Sequence, residues 1–390
     1  MVLQVLPRLV TGGVERGTAD VARALVDAGW TSLVASAGGP MVHELDRAGV
    51  GHFTLPLASK NPLVMAMNIT RLDALIREHG VDIVHARSRA PAWSAAAAAQ
   101  RTGAHFVTSF HGTYSAPSGI KRFYNRVMTR GQRVIAISKF IAGHIEKTYG
   151  VGSERVRVVH RGVDIDLFDP DKVSDERMIQ LAGQWRLPDD KHIILMPGRL
   201  TRWKGQGVLI EALAKLGRRD VHCLIVGTDE GHPAFRRDLE SQIIAAGLGD
   251  VVQLVGHCQD MPAVYMLSDV VVSPSIRPEA FGRVITEAQA MGRPVVVADH
   301  GGASETVIPG QTALLVPPRD AGALASALDK SLAMGAEARD KLARQANAHI
   351  RENFTKERMC RETLAVYREV LAPEEKPPVA AQSEDAAGVP

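Results

Sequence analysis

Between Ile83 and Ile145 the chain has no acidic residue, although it carries nine Lys and Arg there. A field so one-sided is an argument about partners, and it points to anions. Cysteine is scarce too. Cys223, Cys258 and Cys360 have no metal-ligand spacing, and three thiols cannot all pair. That excludes a disulfide framework and fits a reducing compartment. No apolar run reaches the roughly 18 residues a membrane span needs. The chain opens directly on the strand-like Val2-Leu3-Gln4-Val5-Leu6, with no basic segment or cleavage site ahead of it. A cytoplasmic protein is expected. Walker A, H-E-x-x-H, paired C-x-x-C and G-x-S-x-G motifs are missing. G-x-G-x-x-G is missing as well, which argues against a nicotinamide oxidoreductase.

What is present is ordinary globular composition over 390 residues, 45% hydrophobic and 23% charged. The net charge of +3 hides an asymmetry, since residues 1–168 carry 20 Lys and Arg against 12 Asp and Glu. Apolar runs alternate with helical patterns throughout. They fall near residues 2–6, 32–37, 52–57, 81–86, 105–110, 134–137 and 156–159. A second series lies near 192–196, 221–226, 251–255, 269–272, 294–298 and 313–316. Many are continuous rather than alternating, as parallel strands covered on both faces require. Two such series predict an α/β protein of two doubly wound, Rossmann-like parallel-sheet domains. Residues 1–168 form the expected first domain and 169–353 the second. A long helical pattern, Ala336–Leu371, follows, and 372–390, rich in Pro, Glu and Ala, reads as a disordered tail.

The most informative stretch is Arg277-Pro278-Glu279-Ala280-Phe281-Gly282-Arg283-Val284-Ile285-Thr286-Glu287. An apolar strand precedes it, and a helix is expected from near Gly282 to Gly292. Glu279 then sits at the carboxyl end of a strand, and Glu287 about one and a half turns into the helix. With Gly292-Arg293-Pro294-Val295-Val296 after it and Gly301-Gly302-Ala303-Ser304-Glu305 beyond, the segment resembles the signature of the family-4 retaining glycosyltransferases of the GT-B fold. The resemblance runs to about Leu371 and implies two domains facing a cleft, with residues 354–371 crossing back to the first.

Roles follow from the resemblance residue by residue. Arg199 and Lys204, in Gly198-Arg199-Leu200-Thr201-Arg202-Trp203-Lys204-Gly205, match the pair that holds the donor diphosphate. A leaving nucleoside diphosphate develops negative charge that something positive must meet. Glu287 corresponds to the ribose-binding carboxylate, which can accept from both vicinal hydroxyls. Glu279 and the amides of Ala280, Phe281 and Gly282 correspond to the donor-sugar site. Gly13, in the Gly12-Gly13 turn that opens a helix, matches the phosphate-binding glycine. His111, at a strand end of the first domain, matches a histidine near the donor hexose, and His85 is a weaker acceptor-side candidate. Arg161 stands where the family usually has Asn.

The expected protein is therefore a retaining hexosyltransferase that uses a UDP- or GDP-sugar. No metal or other cofactor is expected, because Asp164-Ile165-Asp166, formally D-x-D, reads as an interdomain turn away from the Gly-rich and Arg/Lys loops. The acid-free stretch points to an anionic acceptor, with an envelope glycolipid such as lipopolysaccharide core leading and a small soluble acceptor as the alternative. Nucleic acid is not expected, since no such module accompanies the charge. Residues 120–130 read as an amphipathic helix in which Ile120, Phe123, Tyr124 and Val127 share a face ringed by Lys121, Arg122, Arg126 and Arg130, suited to peripheral membrane contact. A nucleotide-sugar-binding protein without transferase activity would show the same donor motifs.

Overall fold

The computed structural model describes residues 1–10, 12–114, 118–231 and 233–372. Its first sheet contains β1 (Val2–Val5), β2 (Ser32–Ser36), β3 (Gly51–Thr54), β4 (Ile83–Ala86), β5 (His105–Phe110), β6 (Arg133–Ala136) and β7 (Val156–Val158). The second contains β8 (His192–Pro197), β9 (Val221–Val226), β10 (Val252–Val255), β11 (Val270–Ser273), β12 (Val295–Ala298) and β13 (Leu314–Val316). The spatial orders are β3-β2-β1-β4-β5-β6-β7 and β10-β9-β8-β11-β12-β13. Pairing is parallel throughout, as in Val2 opposite Ile83 and Val271 opposite Val295. Strands such as β1, β4, β11 and β12 are buried along their whole length, because helices cover both faces. Their side chains therefore read as largely apolar runs, with Gln4, His85 and Ser273 buried among them.

Each order reverses once, between β1 and β4 and between β8 and β11. At such switch points the loops at the strand carboxyl ends diverge and leave a crevice for a ligand. Gly13, Arg199 and Glu279 all lie on these loops.

The helical pattern from Ala336 is not one helix. It breaks into Ala336–Asn353 and Lys356–Leu371 at Phe354 and Thr355. Thr355 is extended there, and the chain pairs with the other interdomain segment, Val163 N donating to Phe354 O at 2.8 Å and Lys356 N to Val163 O at 2.9 Å. The last helix then packs on the first sheet, burying Met359, Leu364, Tyr367 and Val370 against Val2, Ile83, Val107 and Ile135. Glu369 pins it there, accepting from Arg133 at 2.7 Å and Arg157 at 2.9 Å. The expected tail beyond Ala372 lies outside the described residues.

The basic segment also differs from expectation. A helix covers Gly119–Asn125, and a 3-10 turn, Arg126–Thr129, follows it. The change of winding turns Val127 into the core, fully buried, while Ile120 and Phe123 remain 82% and 62% exposed. Lys121, Arg122, Arg126 and Arg130 are all exposed. Among the described residues no helix is long and apolar enough to cross a membrane.

Candidate active site

The loop after β8 folds back through a 3-10 turn, Arg202–Lys204, and ends on Gly205 at φ 87°. A Cβ at Gly205 would lie 2.0 Å from Pro274 O, so only glycine lets this loop lie against the one that follows β11. That contact delivers Lys204 to Glu279. Lys204 Nζ donates to Glu279 Oε1 at 2.8 Å, and Ser275 Oγ donates to the same oxygen at 2.6 Å. Burial would raise the Glu279 pKa, but Lys204 and the serine hydroxyls outweigh it and hold the carboxyl below its usual range. Glu279 is thus an ionised carboxylate, 8% exposed, whose Oε2 takes no donor among the described residues.

Helix Arg283–Ala290 starts right after Gly282, so Glu287 lies about one turn in rather than one and a half. The amides of Ala280, Phe281 and Gly282 find no acceptor among the described residues, and they open toward the helix start, a natural anion or hydroxyl site. The Phe281 side chain is 2% exposed and packs near His160 and Phe354, so only its backbone is available. Glu287 is buried and already engaged. Arg283 Nη2 donates to its Oε1 at 2.8 Å and Tyr265 Oη to its Oε2 at 3.0 Å. Arg199, Tyr265, Arg283 and Glu287 line a cavity of about 540 Å³. Arg199 is exposed there and forms no ion pair among the described residues, whereas neighbouring Arg202 is paired with Asp238.

Gly13, Arg283 and Glu287 also border an adjoining cavity of about 330 Å³ between the domains. Asp164 lines it as well, so the D-x-D turn stands closer to the Gly-rich loop than its place in sequence suggested. Its carboxylate is occupied, accepting from Lys356 Nζ at 2.8 Å and from the amides of Asp166 and Leu167. Among the described residues no group of three His, Cys, Asp or Glu is placed to hold a metal ion.

His111 is held from the first domain. Arg161 donates through Nη1 to Gly13 O and through Nη2 to His111 Nδ1, the latter at 3.0 Å. A guanidinium can only donate, so Nδ1 is the acceptor and the ring proton sits on Nε2. Burial and then Arg161 push the His111 pKa well below its usual value, which keeps the ring neutral. His85 is not an acceptor contact. It is fully buried, its Nδ1 2.6 Å from Tyr367 Oη and its Nε2 2.8 Å from Ser109 Oγ.

Several contacts were not legible in the sequence. Arg161 was visible only as a departure from the usual Asn. Arg283 lies four residues before Glu287, a spacing that pairs charges on a helix. Glu305 joins the domains: it accepts from the amides of Lys139 and Phe140, at the start of helix Lys139–Tyr149, and lies 3.2 Å from His160 Nε2.

Comparison with known proteins places the chain among glycosyltransferases. Residues 179–349 match the family described as glycosyl transferases group 1, and residues 11–167 match glycosyltransferase family 4. A D-inositol 3-phosphate glycosyltransferase from Salinispora tropica is 34% identical over 258 residues, 63% of this chain and 53% of that protein. The chain therefore spans about half the length of that relative. A glycosyltransferase structure from Rickettsia africae superposes with a TM-score of 0.88 at 40% identity, covering 95% of this chain and 98% of that one. Anabaena HepE in complex with UDP-glucose does so with 0.82 at 25%, covering 94% and 99%.

Proposed function

This chain belongs to the family-4 glycosyltransferases of the GT-B fold, and we propose that it transfers a hexose-type sugar from a nucleoside-diphosphate donor, with retention and without a divalent metal, to an anionic acceptor. One observation carries the reading. An Arg199 without an ion pair among the described residues, Arg283, Glu287 and Gly13 line two adjoining cavities at the switch points of two sheets, and the Lys204–Glu279 pair stands on the loops that follow the same strands.

In this reading the nucleotide occupies the larger cavity. Its ribose meets Glu287, exchanging donors with Arg283 and Tyr265, and its diphosphate lies between Arg199, Lys204 and the Gly13 turn. Glu279 Oε2 and the amides of Ala280 to Gly282 orient the hexose, and His111 meets it from the first domain. Glu279 is a poor nucleophile, because Lys204 and Ser275 stabilise its charge. That favours a front-face displacement: the acceptor oxygen attacks C1 on the face the diphosphate leaves, and the leaving phosphate oxygen takes the acceptor proton. Arg199 and Lys204 supply the charge a metal would otherwise supply.

The acceptor side is a cavity of about 660 Å³ at the strand ends of the first domain, lined by Lys60, Arg89, Lys121, Tyr114 and Tyr124 among others. No acidic side chain lines it among the described residues, and Arg89 lies over the Tyr114 ring at 4.2 Å. This supports a phosphate- or carboxylate-bearing acceptor. Several relatives are named for D-inositol 3-phosphate, a small phosphorylated molecule. The exposed Ile120 and Phe123 beside four exposed cations favour an anionic envelope glycolipid, such as lipopolysaccharide core, reached at a membrane surface.

Release of nucleoside diphosphate from UDP- and GDP-sugars, before and after exhaustive chelation, tests the donor reading. A 2′-deoxyribose donor should be used poorly, and loss of activity restored by Mg²⁺ would overturn metal independence. For the acceptor, Arg122, Arg126 and Arg130 changed together to Glu should abolish sedimentation with anionic vesicles at low salt. Each cation is worth about 1 kcal/mol there. Donor hydrolysis should survive. Equal sedimentation of variant and wild type would leave the soluble phosphorylated acceptor as the better reading.

A further inference from the structure

Beneath the Gly13 turn lies a second cluster of charge that no step above uses. Arg87 directly follows β4, its amide bonded to Val5 O at 2.9 Å. It is 5% exposed, and its guanidinium has no protein acceptor among the described residues, with Nε buried outright. Buried charges are normally paired. Here the guanidinium borders a small cavity of about 20 Å³, which Arg161, His111 and Ser109 also line. Among the described residues, no side chain around that cavity carries a carboxylate. The acceptors of Arg161 are a carbonyl and a neutral imidazole, and Ser109 is shared with the neutral, buried His85. Asp20 is near enough to favour the Arg87 charge, but no ion pair between them occurs among the described residues.

The sequence makes room for this arrangement. Gly17 lies inside helix Gly13–Asp27, where glycine is costly, and a Cβ there would stand 3.1 Å from Arg87 Nη2. The positive end of the same helix adds to the field. Two guanidinium groups, a helix start and no carboxylate make a site for negative charge. Its size sets which kind. A cavity needs about 10–15 Å³ to hold one water-sized particle, so this one admits a monatomic ion and not a phosphate.

We propose that Arg87 and Arg161 hold a small monovalent anion of chloride size in this cavity. The ion offsets the repulsion between the two arginines and fixes Arg161, which in turn fixes Gly13 and His111. The cavity shares Gly17, Arg161 and Met359 with the one that Gly13, Arg283 and Glu287 border, but the anion is read by a bromide peak and the transferase by nucleoside diphosphate release, so the two can fail independently.

Crystals of the wild-type protein soaked in sodium bromide provide the direct test. An anomalous peak within hydrogen-bonding reach of both Arg87 and Arg161 is expected. Surface bromide sites without a peak there would overturn the proposal, a water then filling the cavity. In solution, replacing gluconate by about 150 mM chloride at constant ionic strength should raise the wild-type Tm by roughly 2 °C, for a site half-filled near 10 mM. Arg87→Met should abolish that difference. An equal response in Arg87→Met, or none in the wild type, would overturn it as well. Should Arg87→Met fail to fold, the wild-type bromide peak still decides.

Discussion

Replacing Lys204 by Ala strikes the contact on which the donor site is built. Lys204 and Glu279 are 2.8 Å apart, and their side chains are only 15% and 10% exposed. Without the ammonium, Glu279 keeps its charge in a buried place with only Ser275 and Ser273 to solvate it. Removing one partner of such a pair costs about 3–5 kcal/mol, far more than the pair itself contributes over an apolar replacement. Lys204→Ala and Glu279→Ala should therefore each lose about 3–5 kcal/mol, and the double variant should fall short of their sum by about 2 kcal/mol or more. Urea unfolding of the four proteins at pH 7 measures this. Acid gives a second reading. The Glu279 carboxyl is held below its ordinary value, so its stabilisation is full above that value and is lost as pH falls through the lower folded one. In Lys204→Ala the unpaired carboxyl titrates higher, so the gap to wild type should narrow as pH falls toward 4. Additive losses at pH 7, single losses under about 1 kcal/mol, or a gap unchanged in acid would refute the argument.

Two further outcomes test other parts of the molecule. Arg199→Ala should lower turnover by about 10²–10³ through weaker leaving-group stabilisation. Its stability should stay near wild type because Arg199 is exposed and in no ion pair among the described residues, and near-wild-type nucleoside diphosphate release would remove its role. Asp20 should respond to pH in the opposite sense to Glu279. Burial pushes its carboxyl up to about 6 from 3.8, so the folded state binds the proton more tightly and stability falls as pH rises through that window. Asp20→Asn should thus gain about 2–3 kcal/mol at pH 8 and almost nothing at pH 4, measured by denaturant unfolding at both.

Much of the architecture is local and therefore readable. Val2–Val5, Ile83–Ala86 and Val270–Ser273 are mostly apolar without alternation, interrupted only by the buried Gln4, His85 and Ser273, as strands covered on both faces allow. Glu279 and Glu287 were singled out by the resemblance to the family-4 signature; their spacing alone set one on a loop and the other on the helix it opens. The amphipathic reading of residues 120–130 went astray at Val127, because periodicity assumes one helix and the chain changes winding at Arg126. The resemblance put the start of the crossing segment at 354, whereas periodicity alone ran one helical pattern from Ala336 to Leu371. Helical propensity continues through Phe354, and the pairing of Val163 with Thr355, far apart in sequence, overrides it.

Sequence by itself determined the two doubly wound sheets and the loops at their strand ends, because strand burial, turn glycines and helix starts depend on near neighbours, while the residues picked out on those loops came from the resemblance to a family. Tertiary structure alone decided what those residues touch. Lys204 meets Glu279 rather than standing free, Glu287 is already held by Arg283 and Tyr265, His85 is sealed beneath the last helix, and Arg161 sets the tautomer of His111. Each of these depends on segments distant in the chain being packed to within about 3 Å, or, for Arg283, on a rotamer that packing selects, and charge and hydrogen bonding act at that range.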